Sequence, residues 1–87
     1  MRGEVMEQPL KYRRLLKILK RFNCWEDPKR GKGSERMLCR VVEGRVERYP
    51  IRCHKENEEK PRAVIRALRR RFRLRKEDGV SDGEFYA

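Results

Sequence analysis

Two side chains in this sequence have the chemistry to move protons near neutral pH. One is Glu35, which follows the basic stretch Lys29-Arg30-Gly31-Lys32-Gly33-Ser34; the other is His54, the chain's single histidine. Cleavage of RNA through its 2′-hydroxyl needs a base to take that proton, an acid for the leaving oxygen and cations around the phosphate. Glu35 could act as the base and His54 as the acid, since an imidazole titrates near about pH 6.5. Lys32, Arg36 or Arg52 would then stabilise the charge that develops on phosphorus. A carboxylate beside a phosphate also repels it, and sequence spacing leaves the distance from Glu35 to His54 open. Plainer roles stand beside these. Glu35 also fits a strand-end carboxylate countering Lys29, Arg30 and Lys32, and His54 fits a solvent-facing residue.

The loop Gly31-Lys32-Gly33-Ser34 lacks the first glycine and the Lys-Ser ending of a nucleotide-binding P-loop. It still suits a cradle of backbone N–H groups for one phosphate. Cys24, Cys39 and Cys53 are odd in number and show no C-x-x-C spacing, which points to reduced, partly buried thiols in a cytoplasmic protein. Cys53 and His54 are adjacent, and neighbours in a strand face opposite ways, so they do not suit a shared metal. No metal site and no cofactor are expected. Trp25 and Tyr49 could stack on bases or fill a small core.

Charge gives the broadest constraint. The chain holds 25 Lys and Arg against 14 Asp and Glu, a net charge of +11. Such an excess suits a polyanionic partner, nucleic acid before an anionic membrane or an acidic protein. Between Lys60 and Lys76 there is no acidic residue. Arg62, Arg66, Arg69 and Arg73, spaced by four, three and four, would line one stripe of a helix, widened by Arg70, Arg71, Arg75 and Lys76. Repulsion along that stripe opposes the helix unless a polyanion relieves it, and arginine forks match phosphate oxygens. The sequence shows no helix-turn-helix, zinc finger or zipper pattern, which favours RNA read by shape and phosphates over DNA. No apolar run of about 18 residues could span a membrane, and Met1–Met6 lacks the apolar core of a secretory signal.

The elements that must position these residues follow from periodicity. Residues 1–9 are expected to be a flexible leader ending at Pro9. Tyr12, Leu15, Leu16, Leu19 and Phe22 recur at helical spacing, giving a helix over Leu10–Phe22 stopped by Asn23. A short strand follows at Cys24–Asp27, interrupted at Pro28. Glu35–Val42 and Arg45–Cys53 form a hairpin around Glu43-Gly44, with an alternation that slips at Pro50 and suggests a bulge or an edge position. Pro61 suits the first turn of a second helix carrying Val64, Ile65, Leu68 and Phe72, with Leu74 closing the apolar set. The acidic, Gly-containing segment 77–87 is expected to be a flexible tail. The result is one α+β domain over residues 10–76, with two helices on one face of a small antiparallel sheet.

Arg30-Gly31-Lys32-Gly33-Ser34, then a hairpin, a strand running into His54 and a helix with Ile65 and Leu68, resembles the HicA family. The likeness runs from about Lys11 to Asp78, and Leu74-Arg75-Lys76-Glu77-Asp78 is similar to the family's usual ending. It implies a double-stranded-RNA-binding-like α-β-β-β-α fold, ribosome-independent mRNA cleavage by a toxin, and a HicB-like antitoxin as protein partner. The sequence departs at the decisive place. The family signature reads Gly-Ser-His, with that histidine proposed as catalytic, whereas this chain reads Gly33-Ser34-Glu35. His54 matches another family position, where Pro-x-His is usual and Arg52 here replaces the proline. The resemblance therefore implies RNA binding and leaves cleavage, or a non-catalytic RNA-binding module of the same fold, open.

Overall fold

The computed structural model describes residues 6–28 and 33–87. Along these the order is β1 (Leu10–Lys11), α1 (Tyr12–Lys20), β2 (Trp25–Asp27), β3 (Glu35–Val42), β4 (Arg45–Arg52), β5 (Glu59–Lys60) and α2 (Arg62–Arg71). A single 3-10 turn at Lys76–Asp78 and the short α3 (Asp82–Tyr86) follow. The architecture is thus α+β, with small antiparallel sheets as expected. No helix is long and apolar enough to cross a membrane among the described residues.

β2, β3 and β4 form one antiparallel sheet in that order, and β1 pairs with β5 in a second. The β3–β4 ladder runs unbroken from Val42↔Arg45 to Glu35↔Arg52. Its two-residue turn puts Glu43 (φ 52°) and Gly44 (φ 79°) in the left-handed region, the backbone twist that matches a pair of strands. Of the two options at Pro50, the structure takes the edge. The ladder has no bulge, and β4 is an outer strand. Arg71 Nη1 donates to the Arg48 carbonyl at 2.9 Å, so that carbonyl points out of the sheet, and Pro50, two residues on, points the same way. There its missing N–H costs no ladder bond. Proline and arginine together blunt an edge that could otherwise recruit another strand.

α1 starts two residues later than its apolar spacing suggests. Leu10 and Lys11 stay extended and pair with Lys60 and Glu59. No side chain caps the helix. The N–H groups of Tyr12 and Arg13 donate instead to the carbonyls of Glu58 and Glu56, both at 2.8 Å, so a distant loop satisfies the orphan donors of the first turn. Asn23 adopts φ 61°, ending the helical region as its residue type predicts. Pro61 sits just before α2 rather than inside its first turn. α2 stops at Arg71. Leu74 N–H then donates to the Arg69 carbonyl at 2.8 Å and Arg73 N–H to that of Arg70 at 3.3 Å, a Schellman closure with Arg73 as the left-handed residue at φ 56°.

The core forms between the helices and one face of the main sheet. Leu15, Ile18 and Leu19 of α1 meet Ile65 and Leu68 of α2, with Leu38, Ile51 and Cys53 from the sheet side. Phe72, Leu74 and Phe85 complete the same cluster. Phe85 corrects the expectation of a flexible tail over 77–87, because its ring is fully buried. The acidic composition of the segment obscured a local signal, Ser81-x-x-Glu84. Ser81 Oγ accepts from Glu84 N–H at 3.1 Å, and the Glu84 carboxylate accepts from Ser81 N–H at 3.4 Å, a capping box that starts α3. Arg21, just after α1, holds the segment by donating to the Glu84 carbonyl at 2.6 Å.

A left-handed arginine is strained where glycine is not. Arg73→Gly should raise the free energy of unfolding by about 1 kcal/mol, measured by urea denaturation. An unchanged or lowered midpoint would show that the side chain, not the backbone, governs this corner.

Candidate nucleic-acid interface

The arginines of α2 divide into two sets. Arg69 lies four residues after Ile65 and three before Phe72, which places it on the apolar stripe of the helix. It is only 3% exposed. Its Nε donates to the Leu74 carbonyl at 2.8 Å, Nη1 to Asp82 Oδ1 at 2.8 Å and Nη2 to the Val80 carbonyl at 3.1 Å. The guanidinium also stands over the Phe85 ring, 4.5 Å from its centroid. This corrects the expected phosphate stripe: Arg69 is a structural residue that fastens the segment after α2. Arg73 leaves the stripe as well, because the helix has ended before it.

Arg62, Arg66 and Arg70, each four apart, form the outward-facing set, and all three are exposed. Arg66 is held by Glu7, with contacts of 2.6 and 3.2 Å. That hydrogen bond, with help from the Arg62 charge, keeps the Glu7 carboxyl below its usual range. Glu7 is thus tied down within the segment expected to be a flexible leader. Arg70, Arg71, Arg73 and Arg75 converge with Glu47 and Tyr49 around an open depression of about 600 Å³ beside β4. Lys11 at the end of β1 groups with Arg13, Arg14 and Lys17 of α1 as a smaller basic site.

The candidate catalytic residues Glu35 and His54 both lie at the other end of the hairpin. Glu35 pairs with Arg52 across the ladder. The Cys53 N–H donates to the Ser34 carbonyl at 2.7 Å, so Ser34-Glu35 runs alongside Arg52-Cys53-His54. Glu35, Arg52 and His54 are all exposed, as is Gly33, which adopts φ 60°. A buried lysine fixes this corner. Lys60 Nζ donates to the Arg52 carbonyl and to Glu58 Oε2, while Glu58 Oε1 accepts the His54 N–H at 3.0 Å. The Lys60 ammonium, followed by the His54 amide, pulls the Glu58 carboxyl down to about 2. Lys32, with the rest of 29–32, lies outside the described residues.

Arg36 does not join this group. One residue after Glu35, it points to the opposite face of the sheet, as strand alternation requires. There its Nη1 lies 3.5 Å from Glu26 and 3.9 Å from Glu56, and its guanidinium faces the Tyr12 ring at 5.6 Å. The Tyr12 hydroxyl donates to Glu26 at 2.7 Å, closing an internal network that occupies the arginine. Cys24, Cys39 and Cys53 are all buried. Burial pushes the Cys24 thiol up to about 12 and raises that of Cys53, which leaves neither as a thiolate at neutral pH. No group of three metal-ligating side chains occurs among the described residues.

Comparison with protein-family models, curated proteins and solved structures finds no match to this chain.

The Glu58–Lys60 clamp carries a pH signature. A carboxyl held below its ordinary 4.5 contributes stability in full above that pH and loses it as pH falls towards about 2. Glu58→Gln should therefore lower the thermal midpoint at pH 7 and leave it equal to the unsubstituted chain near pH 2. A midpoint difference that persists into acid would mean that the carboxylate charge is not what holds His54 and Arg52.

Proposed function

We propose that this chain is a HicA-like RNA-binding domain that holds the phosphate backbone with the exposed arginines at α2 and the corner after it. The observation that carries this reading is the separation of charge along one helix. Arg69 is taken up internally, and Arg62, Arg66 and Arg70 remain outside with Arg73 and Arg75 beside them. An arginine-lined depression that stays open suits forked contacts to phosphate oxygens. Setting aside the two-residue strands β1 and β5, the order α1-β2-β3-β4-α2 is also that of a double-stranded-RNA-binding-like fold, which we include in the proposal. A HicB-like antitoxin as protein partner, and a cytoplasmic setting, follow from the same resemblance.

A second reading, endonucleolytic cleavage of mRNA, is favoured by the pairing of Ser34 with Cys53. It places Glu35 and His54 at one end of the hairpin. In this reading Glu35 takes the proton of the 2′-hydroxyl, whose oxygen attacks phosphorus. His54 protonates the departing 5′-oxygen, and Arg52 stabilises the phosphorane-like charge. The products are a 2′,3′-cyclic phosphate and a 5′-hydroxyl. Without such a step the domain is a non-catalytic RNA-binding module.

Binding should weaken linearly in log–log form with salt. Arg62→Ala and Arg70→Ala should each reduce the slope by about 0.7 to 0.9. Fluorescence anisotropy of a labelled structured RNA across a salt series measures this, and retention that ignores salt would contradict the proposal. Gel analysis of the same mixtures separates the two readings. Cyclic-phosphate ends lost in Glu35→Ala and His54→Ala would support cleavage, and intact RNA at saturating protein would leave only binding.

A further inference from the structure

The main sheet has a second face that no helix covers among the described residues. Trp25, Cys39 and Arg48 are register partners across β2, β3 and β4, so their side chains stand in one row on that face. Strand spacing sets Trp25 and Arg48 about 10 Å apart, with Cys39 buried between them. Val41 and Val46 form the next row and are 54% and 41% exposed. At the far end the Glu35–Arg52 pair shares the face. Trp25 itself is 43% exposed. Asp27, two residues after Trp25, also shares this face, which is therefore mixed, with Asp27 and Glu35 set against Arg48 and Arg52. A large aromatic ring left open there, away from the core that could have absorbed it, marks a contact surface.

We propose that this open face binds unpaired bases of the RNA, with Trp25 as the stacking platform and Arg48 and Arg52 as the cations beside it. The inference rests on the RNA-binding reading above and specifies which form of RNA reaches this face. A nucleotide offers what the row is built to accept, a flat π-face for the indole and a phosphate for the guanidinium. Arg48 Nε is buried and has no hydrogen-bond partner among the described residues, so a ligand meets this guanidinium through its other N–H groups or after the side chain turns outward. A second copy of this chain would bring another net +11 to the same arginines, and charge therefore favours an anionic occupant. Bases in a duplex are stacked on each other and cannot lie on Trp25, so the face selects single strands. The basic depression at α2 touches phosphates only and makes no such distinction.

Trp25 is the chain's single tryptophan, so its emission reports this face in the unsubstituted protein. Titration with oligouridylate should quench it over the concentrations at which anisotropy shows binding, whereas an RNA duplex should bind without quenching. Trp25→Leu keeps an apolar group next to Cys39 but removes the π-face, and should weaken oligouridylate binding about tenfold or more. Trp25→Phe should recover most of that loss, and duplex binding should not move in either variant. Oligouridylate bound by anisotropy with unchanged emission overturns the inference and leaves the RNA-binding reading standing. If neither RNA binds, that reading fails and takes the inference with it. Equal quenching by polyglutamate, or concentration-dependent self-association that shields Trp25, would instead assign the face to an acidic protein or to a second copy.

Discussion

The buried guanidinium of Arg69 is the contact on which the outer form of this domain depends. Its three nitrogens reach Leu74, Val80 and Asp82, and its face lies against Phe85. One side chain therefore closes α2, the corner after it and α3 into a unit. A charge in such a place is tolerable only because each nitrogen has an acceptor and the ion has a counter-ion. Asp82 is 41% exposed, so solvent screens its side of the pair, and the carbonyls of Leu74 and Val80 supply the buried part of the guanidinium's satisfaction. The consequence for the surface is indirect. By drawing the chain after Arg71 back across the core, Arg69 sets Arg73 and Arg75 beside Arg70 around one open depression.

The sheet shows a similar division of labour. Alternation sends Arg36 inward to Glu26, Glu56 and Tyr12 and leaves Glu35 outward opposite Arg52. The buried Lys60, through Glu58, then fixes the backbone on both sides of Cys53. Basic residues thus serve two purposes here. Some replace the apolar mass that a chain of this length lacks, and the others remain available to a polyanion. Net charge alone does not distinguish them; position relative to the apolar stripe does.

This explains what could be read from the sequence. The hairpin, its Glu43-Gly44 turn and the Asn23 stop were legible because each is local and carried by residue types with strong backbone preferences. The two amphipathic helices were legible from periodicity, although the carbonyls of Glu56 and Glu58, distant in sequence, decide where α1 begins. Arg69 was misplaced because arginine is read as polar even at the position Ile65 plus four, where the helix faces the core. The 77–87 segment was misread because its acidic composition outweighed the Ser81–Glu84 capping box and the Phe85-Tyr86 pair. Of the candidate site, strand register brought Glu35, Arg52 and His54 to one end of the hairpin, whereas the ion pairing of Arg36 depended on partners in α1, β2 and the 53–58 loop.

The most direct test of this account is an NMR spectrum of the arginine Nε–H groups recorded before and during titration with RNA. Arg69 should give a sharp resonance, slow to exchange with solvent and unmoved by RNA, while those of Arg62, Arg70 and Arg73 exchange quickly and shift on binding. A fast-exchanging Arg69 resonance that moves with the others would contradict the division between the internal arginine and the exposed set.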